Sequence, residues 1–326
     1  MKIRLLRLAI VATLLVAPTS AHTQATPKIV RIGWLSPGSA SAGASNFDAL
    51  RSGLGELGYV EGRNLVFEKR WADGVGARLP ALAAELVRLK VDVICVAGTP
   101  AALAAKGATA TVPIVFANVA FPDQSHLVDS YARPGSNVTG VAFIGPEYGK
   151  RLELLKEALP KLRRVGLIYN PENRASVLAV EETRRWATTL EVALDAHTLR
   201  GPEELDPMFD AIGRSHPDAI MTTADVLIHS YRARIVQYAT KNRLASMFPD
   251  KEYVVAGGLM FYGGSIPHMY RRAAIYVDRI LKGAKTAELP VEQPTKFDMI
   301  VNLKTARALG VTIPPSILLR ADQVID

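Results

Sequence analysis

At 326 residues, 49% of them hydrophobic and with no low-complexity stretch, the chain is long enough for two domains of ordinary size, each with its own core. The formal charge is +8; Lys2, Arg4 and Arg7 supply three of those charges, which leaves +5 for the rest. Basic residues are interleaved with acidic ones, as in Glu181, Glu182, Arg184 and Arg185, so no nucleic-acid-binding stripe is indicated. A single cysteine, Cys95, excludes an intramolecular disulfide, and its setting in the largely apolar run 91–97 predicts a buried thiol.

The first residues carry Lys2, Arg4 and Arg7, followed by an uncharged stretch, 8–17, too short to cross a bilayer. With small residues at Thr19 and Ala21, this reads as a secretory signal peptide over residues 1–21, cleaved after Ala21. No cysteine follows the apolar stretch to be acylated. The exported protein is therefore expected to be free rather than a lipoprotein. The remainder has no second long apolar run, so contact with a membrane is expected only through a partner.

From residue 29 onward, β-branched runs alternate with amphipathic stretches. Residues 29–35 predict a strand, 45–57 a helix closed by Gly58, 64–71 a strand and 78–90 a helix with Leu79, Leu82, Leu86 and Leu89 on one stripe. Strand 92–97, a helix opened by Thr99 and Pro100, and strands 113–116 and 138–143 complete a first unit. A second follows the same plan: helix 147–159, strand 164–169, helix 175–190, strand 191–199, helix 202–212, strand 218–223, helix 226–241 and strand 245–248. Such alternation predicts α/β lobes built on parallel sheets covered on both faces. Gly145 and Pro146, between the units, are a hinge candidate or an ordinary surface turn.

Catalytic machinery is not evident. His126, His197, His216, His229 and His268 are dispersed, with no i, i+4 pair and no cysteine partner, so no metal site is expected. Gly38-Ser39-Ala40-Ser41-Ala42-Gly43 lacks the Lys-Ser/Thr of a phosphate loop, no serine sits in a nucleophile elbow, and Cys95 lies in mid-strand. These features predict a binding protein without cofactor rather than an enzyme.

Open α/β sheets bind ligands at the C-terminal ends of their strands. In the first unit those ends carry Trp34 and Ser36, then Gly98 and Thr99, then Phe116 and Asn118. In the second they carry Tyr169, Asn170 and Asn173, then Thr223 and Asp225, then Phe248. Aromatic and hydrogen-bonding groups thus recur at one edge of both units, as a small-molecule cleft requires. Thr99, at a helix start, suits a carboxylate. Thr99, Asn173 and Asp225 would also serve simply as helix caps, and Phe116 and Phe248 as core.

The chain resembles the tryptophan/tyrosine-type substrate-binding proteins of ABC transporters over nearly its whole length after the leader. The resemblance rests on Gly58-Tyr59-Val60-Glu61-Gly62-Arg63-Asn64, Arg133-Pro134-Gly135-Ser136-Asn137-Val138-Thr139-Gly140, and Tyr169-Asn170-Pro171. It rests further on Ile280-Leu281-Lys282-Gly283-Ala284-Lys285, Leu289-Pro290-Val291-Glu292-Gln293-Pro294, Val301-Asn302-Leu303-Lys304-Thr305-Ala306, Leu309-Gly310 and Ile313-Pro314. It implies a type I periplasmic binding protein: two Rossmann-like lobes, three crossovers and a ligand cleft between the lobes. The expected lobes are residues 28–145 plus about 264–286, and 146–263 plus about 287–326. The helix at about 266–281 is expected to return to the first lobe.

The resemblance also implies a monomer that captures an amino-acid-like or aromatic solute by lobe closure in the periplasm and delivers it to an ABC permease. By similarity Ser36, Thr99, Tyr169, Asn173, Asp225 and Tyr262 fall on cleft-facing positions. Where the family often has Asp-Pro-Val, this chain has Ala120-Phe121-Pro122-Asp123, so Asp225 rather than Asp123 is expected to meet a ligand ammonium. The alternatives are a ligand sensor for a signalling kinase and, from a different class, a periplasmic hydrolase or transferase on the same fold.

Overall fold

The structure, a computed structural model, describes residues 29–143 and 147–326; the leader and the Gly145-Pro146 hinge candidate lie outside the described residues. The first unit runs β1 (Val30–Ser36), α1 (Ala44–Glu56), β2 (Leu65–Trp71), α2 (Leu79–Arg88), β3 (Val93–Ala97), α3 (Gly98–Ala108), β4 (Ile114–Ala120) and β5 (Val138–Phe143). Its strands form one parallel sheet in the order β2-β1-β3-β4-β5. All five residues of β3 are buried because helices cover both faces, which is why its sequence is a continuous apolar run rather than an alternating one.

The second unit runs α4 (Glu147–Ala158), β6 (Arg164–Tyr169), α5 (Arg174–Thr189), β7 (Ala193–Thr198), α6 (Leu205–Ser215), β8 (Ala219–Thr222), α7 (Val226–Ser230), α8 (Arg232–Lys241), β9 (Ala245–Phe248), α9 (Lys251–Val255) and β10 (Met260–Gly264). The chain then enters α10 (Ile266–Leu281), returns through β11 (Phe297–Asn302) and ends in α11 (Leu303–Leu309), α12 (Pro315–Leu318) and β12 (Gln323–Ile325). The second sheet has the order β12-β11-β10-β9-β8-β6-β7.

One pair departs from the expected all-parallel pattern: β11 lies antiparallel to β10. The cause is the route of the chain. It leaves β10 for the first lobe and comes back from there, so it re-enters the sheet at the end where β10 left it, with Phe297 beside Gly264.

Between those visits α10 lays Ile266, Met269, Tyr270, Ala273, Ala274 and Val277 into the core beneath the first sheet, at the i, i+3, i+4 spacing of a one-sided helix. The approach to α1 is close: a Cβ on Gly53 would stand 2.9 Å from that of Ala274. Residues 289–292 then run along β5, with Ala142 N–H donating to Glu292 O at 2.8 Å and Thr139 Oγ1 to Leu289 O at 2.7 Å. The chain therefore stays with the first sheet as far as Glu292, beyond the expected change near residue 287.

The expected helix 226–241 is two helices, α7 and α8, broken at Tyr231. Among the described residues no helix is long and apolar enough to cross a membrane.

Candidate functional site

The C-terminal ends of both sheets meet across a cleft. From the first lobe its cavity is walled by Ala42, Gly43 and Asn46 at the start of α1, by Asn118, and by Ile266 at the start of α10. The second lobe contributes Thr223 to Val226 after β8, His229 of α7, and Pro249, Asp250 and Tyr253 around the start of α9. Helix α1 carries no side-chain cap and no acid of its own in its first turn, so N–H groups at its start, beside the cavity, lack a side-chain acceptor from the helix itself.

Asn118 owes its position to a bulge. The β4–β5 register runs to Ala117 and resumes one residue out of step at Val119, and Asn118 sits between them with φ 57°. Its Oδ1 is buried and has no hydrogen-bond partner among the described residues.

Opposite it stand two buried carboxylates. Asp225 caps α7, its Oδ1 accepting from Ile228 N–H at 2.9 Å, while Oδ2 accepts from Asn173 Nδ2 at 2.7 Å and Asn170 Nδ2 at 3.3 Å. Asp250 caps α9 through a 2.9 Å bond from Glu252 N–H and lies 3.3 Å from His229 Nδ1. Burial pushes both carboxyls above the usual range, opposed at Asp225 by the asparagine and backbone donors and at Asp250 chiefly by His229.

Three of the sequence-predicted residues therefore line the cavity: Asn118, Thr223 and Asp225. Asn173 acts one step back, capping α5 through Ala175 N–H while holding Asp225.

The aromatic expectations are corrected. Phe116 and Phe248 are fully buried in their lobes' cores, and Trp34 packs edge-on to Phe47 with Trp71 and Tyr270 beside it. Tyr169 packs against the second core, and the Tyr262 ring stacks on Phe297 at 6.0 Å. Sheets covered on both faces draw strand-end aromatics inward, so the wall aromatic is Tyr253 from α9 instead.

Ser36 and Thr99 are also buried; the Ser36 hydroxyl accepts from Gly38 N–H at 3.3 Å. Gly98, at φ 77°, lies beneath the second lobe, where an added Cβ would stand 3.1 Å from Val226 Cγ2. A Cβ on Gly38 would stand 3.0 Å from Ser230 Oγ. These contacts show the lobes closed on one another. Asp123 is not among the cavity residues.

Sequence reasoning missed Asn46, His229, Asp250 and Tyr253. For Asp250 a signal existed: Pro249-Asp250 follows strand β9 much as Ala224-Asp225 follows β8, and both aspartates cap short helices.

The cavity encloses only about 20 Å³, room for a water. A wider crevice of about 250 Å³ opens on the other side of Asp225, between Pro37, Pro100 and Leu103 of one lobe and Asn170, Glu172 and Leu227 of the other. A solute therefore enters when the lobes part. Among the described residues no cluster of His, Cys, Asp or Glu is arranged to hold a metal.

Residues 39–325 match the family described as ABC transporter substrate binding protein. A solved structure of a conserved domain protein from Vibrio cholerae is 29% identical, with a TM-score of 0.86 over 91% of this chain and 100% of that one. An ABC domain in complex with L-Trp from Streptococcus pneumonia is 26% identical, with a TM-score of 0.84 over 91% of this chain and 99% of that one. A curated tyrosine-binding protein of Clostridioides difficile (strain R20291) is 26% identical over 260 residues, 79% of this chain and 74% of that protein. Cleft, closure and comparisons agree: the chain belongs to the ABC transporter substrate-binding protein family, a solute-binding protein with the type I periplasmic binding protein fold.

Proposed function

We propose that this solute-binding protein captures an amino acid with an aromatic or similarly apolar side chain in the periplasm and presents it to an ABC permease. The observation that carries the reading is the polarity of the cavity. The acceptors Asn118 Oδ1 and Asp250 suit an ammonium, and the uncapped start of α1 opposite suits a carboxylate. Tyr253, Pro249, Val226 and Ile266 offer an apolar wall for the side chain.

Thr99 and Ser36 do not line the cavity, so in this reading the carboxylate falls to the start of α1. Asp225 keeps a place at the cavity, but its two oxygens already accept three hydrogen bonds. Asp250 is the better partner for an ammonium. The relatives support the class, one holding L-Trp and another named for tyrosine. The basic, then apolar, leader supports export as a free protein.

Thermal unfolding against a panel of amino acids, indole, aromatic acids, sugars and nucleosides tests the reading. A solute at 100 times its Kd raises stability by about 2.7 kcal/mol. Stabilisation by L-tryptophan or L-tyrosine but not by indole is expected, because indole lacks both charged groups. Stabilisation by a sugar or nucleoside alone would overturn it.

A further inference from the structure

Glu252 stands at the rim of the cleft on α9, outside the cavity itself. Its Oε1 accepts a 2.9 Å hydrogen bond from Ser45 Oγ in the first turn of α1, 207 residues away in the other lobe. Among the described residues this is the one side-chain hydrogen bond that crosses the cleft. Elsewhere the lobes approach closely at glycines, as at Gly98, where an added Cβ would stand 3.1 Å from Val226 Cγ2.

The Glu252 carboxylate is held for this task from its own side. Oε2 lies 3.1 Å from Arg232 Nη2 and 3.2 Å from His229 Nε2, and these partners, His229 foremost, hold the carboxyl down at about 2. The other ring nitrogen of His229 faces Asp250, so one imidazole joins the rim to a carboxylate of the cavity wall. Ser45, for its part, is the neighbour of the wall residue Asn46.

We propose that Ser45 and Glu252 form a latch that holds the lobes shut, with Arg232 and His229 as the positioning residues that fix the Glu252 carboxylate. The latch rests on the solute-binding reading of the cleft but not on which solute fills it.

The test is the distance between spin labels on Ser52→Cys of α1 and Gln237→Cys of α8, both exposed sites, with Cys95 buried out of reach of the label. Distances are recorded for the protein alone and with saturating L-tryptophan. Ser45→Ala and Glu252→Ala should each shift the open-to-closed ratio about fivefold toward longer distances, the worth of one net hydrogen bond. The double variant should go no further than Glu252→Ala, since one bond serves both. Glu252→Gln, which keeps an acceptor for Ser45 but loses the charge facing Arg232 and His229, should fall between. Thermal midpoints should stay close to that of the unsubstituted protein.

Unchanged distances in both single variants under both conditions would overturn the latch, as would a protein that shows only the long distance throughout. An L-tryptophan effect absent from every variant, with the latch effect present in the protein alone, would instead count against the solute.

Discussion

Asn173 Nδ2 donates a 2.7 Å hydrogen bond to Asp225 Oδ2, so a carboxylate at the cavity wall is tied into the fabric of its own lobe. Asp225 also caps α7 and accepts from Asn170. Asp225→Ala should therefore lower stability by about 2 kcal/mol, through a lost cap and two buried amides left without an acceptor. Urea unfolding checks this. An unfolding midpoint equal to that of the unsubstituted protein would show that these bonds contribute nothing net.

Closure depends on the absence of side chains at the first lobe's rim. Gly98→Ala should weaken solute binding severalfold, because its φ of 77° suits glycine and its Cβ would meet Val226 at 3.1 Å. Gly55→Ala, near the end of α1, would have no neighbour within 4 Å and should stabilise the protein by about 0.5–1 kcal/mol. The pair of variants, compared by thermal unfolding and by binding, separates a closure effect from a general glycine effect.

A buried pair beside the crossover predicts a pH dependence. Glu147 and Arg151 are both buried, with 2.5 Å between Oε2 and Nη2, and Arg151 Nε also donates to Tyr262 O at 2.7 Å. Burial raises the Glu147 carboxyl to about 7, a rise that Arg151 offsets only in part. The folded state thus holds a proton that the unfolded chain has lost above about 4.5. Its stabilising effect is full below the unfolded value and disappears as pH rises through 7. Stability followed from pH 5 to pH 8 should fall over that window, and Glu147→Gln should flatten the fall. An equally steep fall in the variant would assign it elsewhere.

Cys95, in mid-β3, is buried, and burial pushes its thiol up to about 12. Ellman's reagent should find no reactive thiol in the native protein and one after denaturation. Rapid native labelling would mean that the first lobe opens.

The lobes were legible because alternating apolar runs and helical stripes are local signals, and they placed most strands and helices within a few residues. The β10–β11 pairing was not, because its direction depends on the excursion of α10 into the other lobe. At the cleft, Asn118, Thr223 and Asp225 could be found by the rule of strand ends. Asn46 and His229 could not, since they lie within helices and reach the cavity only when the two lobes come together. The strand-end rule also overreached. It cannot tell an aromatic ring that faces a cleft from one such as Phe248, which stacks on Tyr253 inside the core.

Calorimetric titration of L-tryptophan into the exported protein and its Asp250→Asn variant tests the central claim most directly. The account predicts saturable one-to-one binding that weakens about tenfold or more in the variant, as a hydrogen bond to a charged group is lost. Binding of equal strength in both proteins, or none in either while a solute without an amine binds, would contradict it.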